Sequence, residues 1–442
     1  MPALVVFGLA YMVPLTVFTT YGAVAQTTEG HVPTAYLITL VTMLFTAVSY
    51  AVLVRAYPQA GSAYVYARHA FGRHVGFLTG WTLMLDYLLL PLINYLVMGI
   101  YLHAQFPSVP GWVFALAGIV VVTALNIVGI TLVRDANLLL VGVQLLFAMV
   151  FLATAAAHVA DHPGTSLLQP LYDAGMTTSG LASGAAVLAL SYLGFDAIST
   201  MSEEARDPRR TVPRAIVLTT LIGGFVFTII SYAAQLVQPD WRDIDEPDAA
   251  AAQIMGIAAG HWLEVFFLVA YISGCVAAAI ASQASVARVL YAMGRDRVFP
   301  RLVFGTLSAR FSTPVGATLV VGFISLAALF SDLGTVASLI SFGALAAFSL
   351  VNLSVVKHFL IDRKLRGMNA MLHYGVVPVL GFALTGWLWS SLSSLTLTVG
   401  LFWFGVGATY LALLTRGFRQ PPPAVEFDES SPGHTHELEP TP

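Results

Sequence analysis

The chain has 442 residues, of which 57% are hydrophobic and 10% are charged, with a net charge of −3 and a mean hydropathy of +0.80. Soluble domains carry about 25% charged residues, so this composition excludes an ordinary soluble protein. The single cysteine, Cys275, excludes an intrachain disulfide. The sequence contains no nucleotide-binding loop, zinc-ligand spacing or nucleophile motif, which argues against an enzyme.

Twelve apolar runs follow one another along the chain, each long enough to cross a bilayer as a helix. We number them as spans 1 to 12 and place them at 3–24, 34–54, 75–103, 111–131, 135–157, 179–202, 213–237, 260–290, 313–331, 334–356, 372–391 and 394–415. Span 1 has no basic region ahead of it, so we interpret it as a true span rather than a signal peptide and expect a native N-terminal tail to be missing. The predicted fold class is all-α integral membrane, with twelve transmembrane helices in a domain over residues 1–416.

The basic residues are distributed unevenly between the two sides of this arrangement. Of the twenty lysines and arginines only Arg242 lies in the connections on one side, which leaves nineteen on the other. The positive-inside rule places the basic side and both termini in the cytoplasm of a bacterial cell, with the chain in the inner membrane. The opposite connections are acidic, a field that raises the local concentration of cations, although exposed loops need charge in any case.

Residues 417–442 are polar and rich in proline, which predicts a disordered cytoplasmic tail. His434 and His436 in this tail have no second cluster of ligands near them, so we expect no metal site.

Spans 1 and 6 each carry a helix-breaking residue beside polar groups. In span 1, Pro14 lacks an N–H and clashes with the preceding turn, so the helix should open near Val13 to Thr16. In span 6, Gly194 is a weak point and Asp196 lies well inside the apolar run. These spans begin two sets of five helices, and interrupted helices at matching positions of two halves indicate the central site of a transporter. A proline kink and a packing glycine in ordinary helices would explain each feature singly.

Asp86 in span 3 is the other acid within the membrane. The thirteen residues that separate it from Arg73, at about 1.5 Å each, place it about 20 Å from the cytoplasmic end. An ionised carboxylate at that depth is costly, so Asp86 and Asp196 should be protonated, bonded to opened backbone amides, or paired with a bound cation. A structural hydrogen bond to a neighbouring helix is the alternative for both. Glu203 and Glu204 follow span 6 and are candidates for a gate or for a solvated ion-pair cluster.

Three stretches resemble signatures of the amino acid–polyamine–organocation superfamily of secondary transporters, at residues 194–213, 284–300 and 60–64. The resemblance covers residues 1–416, and within the superfamily the chain most resembles the bacterial putrescine importers, at 8–11, 14–18, 30–33, 85–91, 338–345 and 351–355. It implies a LeuT-like fold with two inverted five-helix repeats, at about 3–157 and 179–356, in which helices 1 and 6 are broken. Two extra helices, at about 372–415, would follow the repeats.

Two departures from the amino acid permeases bear on the substrate and on the coupling ion. Permeases usually carry a glycine-rich break in span 1, whose amides hold the substrate carboxylate. Here the break is formed by Val13, Pro14, Leu15 and Thr16, and Pro14 has no N–H to donate to a substrate carboxylate. An amine without a carboxylate does not need that hydrogen bond. Some proton-coupled relatives place a lysine in span 5, whereas Gln144 stands there and cannot titrate.

These features predict a secondary transporter that imports a small organic cation, putrescine or a related polyamine, by alternating access, with proton coupling left open. The candidate substrate-binding residues are Tyr11, Val13, Leu15, Thr16, Tyr87, Asn94, Tyr192, Leu193, Gly194, Phe195 and Asp196, and the candidates for proton coupling are Asp86 and Asp196. We expect no cofactor, with protons or the membrane potential as the driving force. Besides the solute and the lipid bilayer we expect no nucleic acid and no obligate protein partner.

Two other functions remain open. An amino acid permease would transport a bulky or cationic amino acid through the same architecture. A membrane nutrient sensor on a transporter scaffold would bind its ligand without flux.

Overall fold

The computed structural model describes residues 1–422 except 60–61, 129–132, 163, 165, 174, 203–204, 296–297, 309 and 312, and this described part contains helices and no strand. Within it ten helices are long and apolar enough to cross a membrane, as judged by length and composition: Val32–Ala56, Arg73–Gln105, Gly111–Val128, Gly142–Asp161, Thr178–Ser202, Pro208–Val237, His261–Arg295, Leu333–Asp362, Met368–Ser390 and Ser394–Leu414. An eleventh is added if Pro2–Phe18 and Tyr21–Thr27, which are bent by 62° relative to each other, form one span.

The prediction of an all-helical membrane protein is confirmed, whereas the count of twelve spans is not. Predicted span 9, at 313–331, corresponds to a shorter apolar helix, Val315–Leu329. The other predicted spans each overlap one of the helices above, so we keep their numbers for those helices.

Several spans are assembled from more than one helical segment. These segments are Pro2–Met12, Pro14–Phe18 and Tyr21–Thr27 in span 1, and Thr178–Leu188, Ala189–Tyr192 and Ala197–Ser202 in span 6. They are Val315–Ser325 and Leu326–Leu329 in span 9, Leu333–Val356 and Lys357–Asp362 in span 10, and Met368–Met371, Leu372–Val376 and Val377–Ser390 in span 11. The helix of span 5 runs over Val133–Asp161.

In the described part of the chain, five short connecting helices were not predicted because they lack an apolar run of membrane-spanning length. They are Ser62–Phe71, Trp241–Asp243, Pro247–Ala249, Ala250–Ala259 and Arg301–Phe304. We call Ser62–Phe71, which connects spans 2 and 3, the loop helix.

Local sequence signals fix where several spans begin. Proline stands in the first turn of spans 2 and 7, where its missing N–H would have no intrahelical partner in any case. The Asp332 carboxylate caps span 10 by accepting a hydrogen bond from the Thr335 N–H at 2.7 Å. The Ser393 hydroxyl caps span 12 by accepting one from the Thr396 N–H at 3.2 Å.

Burial separates a central span from peripheral ones. In span 6, 83% of the apolar window is buried inside the protein, compared with 28% in span 11 and 17% in span 12. Span 6 therefore lies inside the bundle, and spans 11 and 12 present most of their surface outward. Span 2 packs along span 7, and span 3 packs against spans 8 and 10. The two five-helix repeats and their boundaries stay predictions.

Span 3 is fixed to span 12 by a pair of tryptophans. The indole N–H of Trp81 donates to the Trp403 carbonyl at 3.0 Å, and that of Trp403 donates to the Trp81 carbonyl at 2.9 Å. The two rings stack with their centroids 4.9 Å apart. This reciprocal contact holds span 3, which carries Asp86, against the outer helix.

Candidate functional site

Span 1 is interrupted in the region where the sequence predicts an opening. The first helix ends at Met12, and Val13 takes φ 51° and ψ 99°, a conformation that a β-branched residue rarely adopts. Pro14 then begins a 3₁₀ segment that ends at Phe18. The Thr16 hydroxyl reaches back across the break and donates to the Met12 carbonyl at 3.0 Å. The α-helix therefore stops after Met12, and the segment that follows has a different hydrogen-bonding pattern.

Span 6 is interrupted at its predicted weak point as well. A 3₁₀ segment ends at Tyr192, Leu193 is extended, and helical structure resumes only at Ala197. Gly194 between them has φ 127°, a region that side chains exclude and glycine tolerates. The four residues from Leu193 to Asp196 thus form an opened stretch inside the span with the largest buried share among the ten described helices of membrane-spanning length.

The two interruptions contact each other. A Cβ at Gly194 would lie only 2.9 Å from Cδ1 of Tyr11 and 3.1 Å from the backbone nitrogen of Met12. A Cβ at Gly8 would likewise lie 2.5 Å from Cδ1 of Ile198, on the far side of the break in span 6. The absence of side chains at these glycines therefore lets the backbones of spans 1 and 6 approach closely where both helices open.

Asp196 is tied into the break of span 6. It is 8% exposed, and its Oδ1 accepts a hydrogen bond from the Gly194 N–H at 3.2 Å. Its Oδ2 accepts one from the Ser62 hydroxyl of the loop helix, also at 3.2 Å. Its carbonyl accepts bonds from the Ser199 N–H and hydroxyl, so Asp196 stands at the N-cap of the segment Ala197–Ser202. Asp196 therefore combines two of the predicted arrangements, a bond to an opened backbone amide and a structural bond to a neighbouring helix.

Asp86 lies in a different environment. It is 5% exposed, and its Oδ1 is buried without a hydrogen-bond partner. None of the ion pairs in the described part of the chain involves it. A Cβ at Gly343 of span 10 would lie 2.8 Å from the Thr82 carbonyl and 3.7 Å from Cβ of Asp86, so span 10 lies directly against this stretch of span 3. Asp86 and Asp196 are close enough to interact electrostatically.

Two of the predicted tyrosines lie beside the carboxylates, while the predicted asparagine does not contact them. Tyr11 and Tyr87 both lie within electrostatic range of Asp86 and Asp196. The Tyr11 side chain is 39% exposed, although the acids beside it are buried. The Asn94 side-chain amide donates to the carbonyl of the preceding turn of its own helix, at 2.8 Å.

The other two aromatic candidates point into the packing between helices. The Tyr192 hydroxyl donates to the Tyr36 carbonyl of span 2 at 3.1 Å. The Phe195 ring packs edge-on against Tyr50 at 5.6 Å and lies 5.2 Å from the ring of Phe348 in span 10. Both side chains are fully buried. In this conformation they hold the break of span 6 against spans 2 and 10.

The remaining predicted residues are either buried in the breaks or undescribed. Leu15 is 0% and Leu193 is 7% exposed, so their side chains belong to the core around the two openings. Glu203 and Glu204, the gate candidates, lie outside the described residues.

The structure adds neighbours of the site that pattern reasoning did not assign. Ser62 on Asp196 and Gly343 beside Asp86 come from the loop helix and from span 10, far away in sequence. Ser62 lies in the family-like stretch 60–64, which gave no indication of its partner. Gln144 of span 5 is 3% exposed, and its Nε2 would lie 2.6 Å from a Cβ at Gly274 of span 8.

Comparison with known proteins shows which family the chain belongs to. A family model described as amino acid permease matches residues 4–413, almost the whole described chain. The chain belongs to the amino acid permease family. It is therefore a multi-pass membrane transporter and not an enzyme.

Three relatives illustrate its place in the family. The low-affinity putrescine importer PlaP of Escherichia coli (strain K12) is 41% identical over 426 residues, which cover 96% of this chain and 94% of that protein. The branched-chain amino acid permease BcaP of Bacillus subtilis (strain 168) is 26% identical over 80% of this chain and 79% of its own length. The methylthioribose transporter of Bacillus subtilis (strain 168) is 25% identical over 93% and 92% of the two chains.

Proposed function

We propose that this transporter imports a small aliphatic diamine of the putrescine type by alternating access. It would do so across a bacterial inner membrane, with the arginine-rich side and both termini in the cytoplasm. The observation that carries the proposal is Asp86, a buried acid with an unpartnered oxygen, which lies within electrostatic range of Tyr11 and Asp196 at the two opened helices. A buried acid within the membrane is unfavourable unless it is paired, and a bound cationic solute would pair with it. The 41% identity to a putrescine importer supports the same choice of solute.

The site offers complementary groups for each part of a diamine. One ammonium would pair with Asp86, and carbonyl oxygens at the breaks of spans 1 and 6 would accept hydrogen bonds from the other. Tyr11 and Tyr87 would pack along the methylene chain, and each cation–π contact between a ring and an ammonium group would contribute about 0.5–2 kcal/mol. The ammonium would supply the partner that Asp86 lacks, which removes the cost of an isolated buried charge.

The breaks favour an amine over an amino acid because they offer few free amide donors. Pro14 has no N–H at the opening of span 1. At the opening of span 6, the Gly194 N–H already donates to Asp196. A substrate carboxylate would therefore find fewer donors here than carbonyl acceptors. The similarity to the branched-chain amino acid permease keeps an amino acid as the second candidate.

The membrane potential alone can drive uptake of a dication. Moving two charges across about 100 mV releases about 4.6 kcal/mol. At about 1.4 kcal/mol per decade, this sustains a concentration gradient above a thousandfold. Proton coupling is therefore not required for accumulation, and Gln144 supplies no titrating group in span 5.

Uptake into proteoliposomes tests the proposal. Purified protein would be reconstituted and supplied with radiolabelled putrescine, with unlabelled leucine and arginine as competitors. We expect saturable uptake that depends on an imposed interior-negative potential and is competed by other diamines but not by leucine. Uptake of leucine without uptake of putrescine would refute the diamine assignment and favour the amino acid permease.

A further inference from the structure

Ser62 links the break of span 6 to the loop helix. It is 2% exposed, and its hydroxyl donates to Oδ2 of Asp196 at 3.2 Å. The same hydroxyl shares a hydrogen bond with the hydroxyl of Tyr50 in span 2, at 3.2 Å. Ser62 also takes φ 48°, a strained value for a residue with a side chain, which persists only where the surroundings fix it. The first residue of the loop helix is thus held by two partners on two different spans.

The other end of the loop helix is fastened as well. The His69 ring stacks on Tyr57 at the end of span 2, with centroids 4.3 Å apart and planes 9° from parallel. The Tyr57 hydroxyl is hydrogen-bonded to Nδ1 of His358, at the end of span 10, at 2.8 Å. Burial and the neighbouring Arg68 lower the pKa of His69, which favours the neutral ring in this stack. The loop helix therefore bridges spans 2, 6 and 10 on the arginine-rich side.

The carboxylate of Asp196 faces both the opened backbone and the loop helix. Its Oδ1 holds the Gly194 N–H inside the break, while its Oδ2 holds Ser62. A change in the geometry of the break, such as one caused by a solute at the opened stretch, would move the acceptor on which Ser62 depends. Losing this hydrogen bond would leave Tyr50 as the remaining hydrogen-bond partner of the Ser62 hydroxyl and would weaken the attachment of the loop helix at that end.

We propose that the loop helix is a gate on the cytoplasmic side and that Ser62 is a positioning residue that latches it closed through Asp196. The inference rests on the proposed function, because it assumes a carrier whose arginine-rich side faces the cytoplasm. The latch connects solute binding at the break to opening on the inner side. Loss of one hydrogen bond shifts the closed-to-open equilibrium toward open by up to about tenfold.

Cysteine labelling without substrate tests the latch directly. In a Cys275→Ala background, Ala67→Cys places a thiol in the middle of the loop helix, where Ala67 is 0% exposed. Inside-out vesicles expose the arginine-rich side to a membrane-impermeant maleimide. We expect Ser62→Ala to raise the labelling rate by up to about tenfold. Ser62→Gly removes the hydroxyl and relieves the strained φ as well, so it should label at least as fast if the hydroxyl is the latch.

Ser49→Ala is the matched control, since Ser49 is also a buried serine, 1% exposed, whose hydroxyl has no hydrogen-bond partner. It should label at the parental rate. Adding Asp196→Ala to Ser62→Ala should increase labelling less than the two single effects combined, because either change alone already removes the bond between the two side chains. Equal labelling in Ser62→Ala and the parent, or fully independent effects in the double variant, would overturn the latch.

Transport kinetics add a second readout. If fewer carriers face outward, Ser62→Ala should raise the apparent KM for external putrescine by up to about tenfold. A variant that merely folds poorly would lower Vmax and leave KM unchanged, which would count against the latch. Should the parent fail to transport any diamine, the proposed function falls, while the labelling experiment still decides the latch.

Discussion

Asp86→Asn is the substitution that separates a solute-binding acid from a structural one. Asparagine has nearly the same shape, so the close packing of span 10 at Gly343 should persist. No protein hydrogen bond to Oδ1 is lost, because that oxygen has no partner. The substrate-free protein should therefore keep its thermal stability or gain some, since a buried acid without a partner is unfavourable in the membrane.

The expected loss in substrate binding is large by comparison. A hydrogen bond to a charged group contributes about 1.5–3 kcal/mol. At about 1.4 kcal/mol per decade, its removal should raise the KM for putrescine by about 10-fold to 150-fold. Uptake of radiolabelled putrescine by proteoliposomes measures KM, and thermal unfolding in detergent, with and without putrescine, measures stability and ligand stabilisation.

Asp332→Asn provides the control for this experiment. Asp332 caps span 10 through the Thr335 N–H, and asparagine is as good a cap, so both KM and stability should stay unchanged. If Asp86→Asn transports with the parental KM, Asp86 does not bind the solute. If instead the variant unfolds while Asp332→Asn does not, Asp86 has a structural role and the site must be sought elsewhere.

Three further outcomes are expected. Gly194→Ala would place a methyl group 2.9 Å from Tyr11 on a backbone with φ 127°, so it should cost about 1–3 kcal/mol of stability and abolish uptake in protein that still reaches the membrane. Gly343→Ala would bring a methyl group within 2.8 Å of the Thr82 carbonyl and push span 10 away from Asp86, which should raise the KM for putrescine several-fold. Gly405→Ala is the control: its added methyl group would have no atom within 4 Å, so uptake should stay unchanged. Abolishing an interior-negative potential of about 100 mV should lower the steady-state accumulation of a dication by more than about a thousandfold, and accumulation driven by a pH gradient at zero potential would show proton coupling instead.

Sequence reasoning located both breaks because each depends on a local property of the chain. Pro14 removes a donor wherever it stands in a helix, and Gly194 is the residue that can take a φ of 127°. The depth of Asp86 likewise followed from its distance along one helix. These features need no knowledge of tertiary packing.

The features that sequence reasoning missed depend on contacts between distant segments. The bond from Ser62 to Asp196 joins residues 134 positions apart, and no periodicity in either segment encodes it. The same limit applies to Tyr192, whose aromatic character predicted a ligand contact but whose hydroxyl bonds to Tyr36 of span 2. The short helix Ser62–Phe71 was missed since the prediction searched for apolar runs of membrane-spanning length.

The proline in span 1 has a lasting consequence for the carrier. With Pro14 in place, the Ala10 carbonyl cannot receive the usual bond from the fourth residue ahead, whichever way the protein faces. The Ala10 carbonyl thus lacks this backbone donor throughout the cycle, without any unwinding step. A cationic solute would meet the same carbonyl acceptor from either side of the membrane. The two halves of span 1 would rotate about the same break when the carrier opens outward and when it opens inward.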